Sequence, residues 1–135
     1  MYFFRRLCYI LAMGSIVEIE GVRQRPEEGF RRWFSNNYFD LVFWYDRKDG
    51  VLDGLQFCYG KPHSEKAFTW ESSTRSHHYV SEMHKGSSQA TGILRGDAGE
   101  IPPAVIKRFL EEAPDLNDDL KSLVLQKIDE FNKKS

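Results

Sequence analysis

Across residues 39–46 apolar and polar side chains alternate. Phe39, Leu41, Phe43 and Tyr45 fall on one side, and Asp40, Val42, Trp44 and Asp46 on the other. A period of two predicts a half-buried strand, and the charge-free Phe39, Leu41, Phe43, Tyr45 side is the one to bury. Residues 47–50 follow as a tight turn, in which Asp49-Gly50 supplies the positive φ a hairpin requires. The chain returns over 51–59 as a second strand with Val51, Asp53, Leu55, Phe57 and Tyr59 together. Gly54 in its middle predicts a bulge or the close approach of an aromatic from the neighbouring strand. After a turn over 60–65, residues 66–71 read as a third strand with Phe68 and Trp70 pointing one way. Three consecutive strands joined by short turns make an antiparallel meander.

The flanks are patterned more weakly. Residues 16–20 alternate well enough for a strand with Val17 and Ile19 on its buried side. Pro26, two glutamates and the spacing of Phe30, Trp33 and Phe34 predict a short amphipathic helix over 26–34. Residues 77–84 predict a fourth strand, 85–91 a Gly- and Ser-rich mobile loop, and Ile93-Leu94 a short edge strand. Beyond Pro102-Pro103 the period becomes 3.6. Ile106, Phe109, Leu110 and Ala113 form a stripe that Pro114 stops. Asp115 or Asn117 then caps a second helix carrying Leu120, Leu123, Val124, Ile128 and Phe131. Strands followed by helices imply an α+β fold: an antiparallel meander of about four to five strands with two C-terminal helices packed on one face.

The length of 135 residues suits one domain over 14–135, preceded by residues 1–13 as an N-terminal extension or first strand. At 41% hydrophobic and 29% charged the chain can bury a core, which excludes disordered and collagen-like classes. Aromatic residues reach 14%, so rings carry much of the packing. The net charge is −1, and no basic stripe marks a nucleic-acid partner. The apolar run ending at Met13 is too short to span a bilayer and lacks the order of a secretory signal. Two cysteines, Cys8 and Cys58, do not make a disulfide scaffold, so a reducing, cytoplasmic setting is expected.

Candidate chemistry is sparse. If 77–84 is a strand, His78, Glu82 and His84 share a face and offer metal ligands beside His77. Along a straight strand, however, residues four apart lie roughly 13 Å from each other, and the competing reading is a polar strand with satisfied histidines. Cys58 has His63 five residues on, the base a nucleophilic thiol needs, or is simply a packed apolar residue. Asp40, Asp46 and Asp53 are either paired carboxylates for acid–base work or solvent-face charges that protect sheet edges. Trp44, Trp70, Phe68, Arg32 and Trp33 suggest a ligand or partner surface on the face away from the helices. Such apolar area is seldom left bare, so it would mediate self-association or partner binding, or else be covered by residues 1–34.

The run from Arg32 through Leu41, then Trp44 and Asp46, then 54–59 and 67–70 resembles a group of short uncharacterised bacterial proteins. The resemblance covers about residues 30–71 and, more weakly, the C-terminal helices, and implies a bacterial cytosolic origin. It brings no activity, cofactor or site residue. No complete catalytic motif is present and no cofactor is expected. The expected function is therefore a non-enzymatic binding or protein-interaction domain, with a homodimer or a protein partner in view. The alternative is a small metal-dependent hydrolase using His77, His78, Glu82 and His84 with help from Asp53 or Glu65.

Overall fold

The computed structural model describes residues 14–25, 27, 29–73, 77–82, 93–97 and 99–134. Among these, seven strands form one antiparallel sheet in strict chain order: β1 (Val17–Glu18), β2 (Phe30–Ser35), β3 (Phe39–Tyr45), β4 (Leu52–Tyr59), β5 (Lys66–Glu71), β6 (His77–Glu82) and β7 (Ile93–Asp97). Two helices follow, α1 (Pro103–Glu112) and α2 (Asp118–Lys134). The α+β meander with two C-terminal helices is present, and β1 and β2 carry the strand count past the four or five expected. Among the described residues no helix is long and apolar enough to cross a membrane.

Cross-strand register arranges the helix-facing side in rows. One row runs Phe34, Leu41, Phe57, Phe68, His78, and the next Arg32, Phe43, Leu55, Trp70. Phe39, Phe43, Phe57 and Phe68 are fully buried there. Phe109 of α1 seats its ring against both Phe39 and Phe57, with centroids 5.9 and 5.3 Å away and near-perpendicular planes, the edge-to-face geometry that aromatic quadrupoles favour. Val124 and Ile128 of α2 complete the layer, and Phe131 meets Phe68 at 5.2 Å. Asn117, one of the two residues expected to cap α2, does so: its Oδ1 accepts from the backbone N–H of Asp119 at 2.8 Å.

Tight turns hold the register. Between β2 and β3, Asn36 Oδ1 accepts from the backbone N–H groups of Tyr38 and Phe39 at 2.9 and 2.7 Å. Its amide donates to the carbonyl of Gly14 and to Oε1 of Glu112. Between β3 and β4, Asp49 takes the positive φ of 63° and Asp46 Oδ1 accepts from Val51 N–H at 2.8 Å. At the far end of the chain, Asn132 exchanges two hydrogen bonds with the backbone of Ile101 and ties the entry of α1 to the end of α2.

Two flanking expectations are corrected. Residues 30–35 form a strand, not the end of a helix. Phe30 and Phe34, four apart, share a face under either period, and pairing with the strong β3 strand decides between them, which sends Trp33 to the opposite side. In the first strand Ile16 is buried at 1%, while Val17 and Ile19 are 41% and 39% exposed, so the inward parity is shifted by one residue. The expected strand over 77–84 is seen as β6. Positions 83–84, the mobile loop expected over 85–91 and residues 1–13 lie outside the described residues.

Candidate functional site

The side of the sheet away from the helices is a concavity of about 910 Å³. Register again sets its floor: Arg31, Trp44, Gly54 and Glu71 in one row, Trp33, Val42, Gln56 and Thr69 in the next, and Ser35, Asp40, Cys58 and Ala67 in the third. Residues 22–25 border it beside β2, contributing Val22, Arg23 and Arg25 to the lining. That border is fastened by Gln24, whose side-chain amide donates to the Arg31 carbonyl at 2.8 Å and accepts from the Arg31 N–H at 2.9 Å, as a neighbouring strand would.

Trp44 and Gly54 face each other across β3 and β4. A β-carbon placed on Gly54 would lie 2.7 Å from Trp44 Cε2 and 2.8 and 2.9 Å from the two atoms bonded to it, Nε1 and Cζ2. A point beside the ring edge would be nearer to those two atoms than to Cε2. The indole therefore lies face-down on the Gly54 backbone, and the ladder shifts register between Trp44 and Tyr45. The expected close approach and the expected bulge are both found. Trp33, 40% exposed, stands on the same side with its Nε1 donating to Asp40 Oδ1 at 3.2 Å.

The third row is a polar cluster. Ser35 Oγ donates to Asp40 Oδ1 at 2.6 Å, and Lys61 Nζ reaches Asp40 Oδ2 at 2.9 Å and Ser35 Oγ at 3.1 Å. Burial raises the Glu65 carboxyl above its ordinary value, Asp40 adds to the rise and Lys61 opposes it. Burial likewise pushes the Cys58 thiol up to about 12, with Glu65 and Asp40 contributing, so the sulfur stays protonated at neutral pH. His63 is exposed on the turn beyond β4, and the charges that bear on the thiol are Glu65, Asp40 and Lys61. Cys58 is thus a packed thiol, the second of its two readings.

His78 lies on the other side, at the polar end of a core row and 2% exposed. Its Nδ1 is 2.7 Å from the Gly99 carbonyl and its Nε2 is 2.8 Å from the Tyr59 hydroxyl. A carbonyl only accepts, so Nδ1 carries a proton, and Nε2 shares a hydrogen bond with the Tyr59 hydroxyl. Burial pushes the Tyr59 phenol up to about 12. As a metal ligand His78 would have to give up one of these bonds. Glu82 ends β6, His77 pairs along the backbone with Thr69, and His84 lies outside the described residues. Among the described residues no three His, Cys, Asp or Glu side chains gather as a metal site.

The residues read as one surface therefore divide. Trp33 and Trp44 line the concavity. Phe68 and Trp70 face the helices, where Phe68 is fully buried and Lys127 Nζ sits 4.4 Å over the Trp70 ring. Arg32 is on the helix side as well, bonded to Glu18 at 2.9 Å. Asp46 serves the β3–β4 turn, and Asp53 is exposed. Gln56 and Glu71 are lining residues the sequence reading missed. Gln56 was accessible to it, because it alternates with Phe57 exactly as Val42 does with Phe43. No family model, curated protein or solved structure matches the chain.

Proposed function

We propose that the protein is a non-enzymatic binding domain whose working surface is the concave face of its sheet, opposite α1 and α2. The observation that carries this reading is the pair of indoles, Trp33 and Trp44, on the lining of a concavity of ligand size, next to polar groups already held in place by one another. Cys58 on that face is held protonated, which favours binding over covalent chemistry. A buried free thiol also accords with a reducing, cytosolic setting.

Acrylamide quenching tests the reading. In a Trp70→Phe background, emission from the described fold comes from Trp33 and Trp44 alone. Ready quenching, unchanged across a wide range of protein concentration, is expected for a face open to ligands. Indoles shielded even in dilute protein would mean that the face is covered within the monomer. Shielding that sets in with concentration, matched by a doubled mass in light scattering, would make the surface a homodimer interface instead.

A further inference from the structure

The platform formed by Trp44 narrows the class of ligand, resting on the binding-face reading above. One side of its indole is spent on Gly54, so the other is turned toward the concavity that Trp44 lines. A ring pinned in this way offers a flat apolar surface at no further cost in rotamer entropy. Trp33 stands one row away on β2, paired across the ladder with Val42, and Gln56 lies beyond Val42 on β4. Two flat apolar surfaces thus flank a floor that includes a side-chain amide.

Among the described lining residues Arg23, Arg25 and Arg31 stand against Asp40, Glu65 and Glu71, and Lys61 is paired with Asp40, so charges of both signs are interspersed. Such a lining selects neither a polyanion nor a polycation by its net field. A complementary ligand is neutral overall, has flat C–H faces that stack on indole, and carries many hydroxyl groups that both donate and accept at its edges. Sugar rings combine these properties. A nucleic-acid strand would also stack, but each nucleotide would bring a phosphate to a lining that interleaves Asp40, Glu65 and Glu71 with its cations and has no basic stripe among the described residues to receive a run of phosphates.

We propose that the concave face binds a neutral oligosaccharide, with Trp44 as the stacking platform, Trp33 as a second stacking surface and Gln56 bonding to ring hydroxyls. A volume of about 910 Å³ is at the upper end of ordinary ligand sites and leaves room for more than one sugar unit.

The test titrates the full chain, in the Trp70→Phe background, with neutral oligosaccharides of the β-glucan, α-glucan, chitin and mannan types. Tryptophan emission and protection from acrylamide are the readouts. Saturable protection by at least one of them is expected, with affinity falling about tenfold or more in Trp44→Ala and by less in Trp44→Phe, which keeps a smaller platform. Thermal melts establish that each variant is folded, and Trp33→Ala supplies a second loss should Trp44→Ala fail to fold. If acrylamide reaches the indoles but no neutral sugar protects them, the oligosaccharide is wrong while the open face stands. Protection by a sulfated sugar or a single-stranded oligonucleotide in place of the neutral sugars also overturns it. Indoles that acrylamide does not reach would remove the binding-face reading itself.

Discussion

The rings of Tyr59 and His78 stack 5.7 Å apart at 29°, and the Tyr59 hydroxyl and Nε2 of His78 share a hydrogen bond at the boundary between sheet and helices. A hydrogen bond so deeply placed is worth most through what its loss leaves behind. Tyr59→Phe removes the hydroxyl but keeps the ring, and His78→Leu removes its partner. Each should cost about 1–3 kcal/mol, and the double variant should cost less than the sum by about 1 kcal/mol, since the second change no longer strands a partner. Urea unfolding of the four proteins measures this coupling. Simple additivity would mean that the two groups are not joined.

Alkaline pH should weaken the fold through Tyr59 and Cys58. Both are acids whose folded values are raised to about 12, from 10.0 for the phenol and 9.0 for the thiol. Between the unfolded and folded values the unfolded chain has lost protons that the folded chain retains, so stability falls as pH rises from about 9 to 12 and levels off above that. The ceiling is on the order of 4 kcal/mol for the thiol and about 3 kcal/mol for the phenol. Urea midpoints should drop across this window, and Cys58→Ala should remove the earlier part of the drop. An unchanged profile in that variant would show that the thiol titrates normally.

Gly54→Ala should destabilise the protein by about 1–3 kcal/mol, the usual range for overpacking. In most strands this change is neutral or helpful because glycine packs nothing and is entropically costly. Here the new methyl would meet the Trp44 indole at 2.7 Å and lift it off the sheet. A red shift of tryptophan emission should accompany the loss. A stabilised variant would mean that the indole does not lie over the glycine.

Phe57→Ala should cost roughly 3–5 kcal/mol, as should Phe43→Ala, whereas Trp44→Ala on the opposite side should cost clearly less. Both phenylalanines are fully buried, and Phe57 packs on Phe109 of α1. Denaturant unfolding ranks the three. A Phe43→Ala loss below about 1 kcal/mol would invert the sheet.

Asn36→Asp keeps the acceptor that caps the β2–β3 turn but replaces the donor that faces Glu112. Two carboxylates then oppose each other, so the variant should be less stable than the native protein at neutral pH and recover much of the difference in acid, where they protonate. Asn36→Ala should lose about 1–3 kcal/mol with no such recovery. Comparable pH curves for the two variants would show that the Asn36–Glu112 contact carries no weight.

The strand pattern of Phe39 to Tyr45 was legible because its two faces differ in charge as well as hydrophobicity, and the irregularity at Gly54 was legible because a mid-strand glycine packs nothing and so marks either a bulge or a close approach. Parity was harder. Phe68 and Trp70 alternate clearly, yet the turn over 60–65 is too long for its residue count to say which way they point. Only pairing with Phe57 and Leu55 turns them to the helices. Trp33 was misplaced with its helix for a similar reason, since the pairing of residues 30–35 with β3 is not a local property. His78 reads as a ligand beside Glu82 and His84, but its partners Tyr59 and Gly99 are distant along the chain. A buried histidine closing a row of phenylalanines has no signature of its own in a linear pattern.

The strict chain order of the seven strands bears on how the molecule is assembled during synthesis. Each strand pairs with the one before it, so hairpins can form as the polypeptide emerges, with no crossover between strands distant in the chain. The backbone N–H of Ile16, by contrast, bonds to the carbonyl of Glu112 at the end of α1. This clasp waits for nearly the whole sheet to be made. Until α1 and α2 are made, the row of phenylalanines on the nascent sheet lacks the two helices that pack on it in the finished fold, and transiently exposed apolar surface of that kind is what makes a growing chain prone to association.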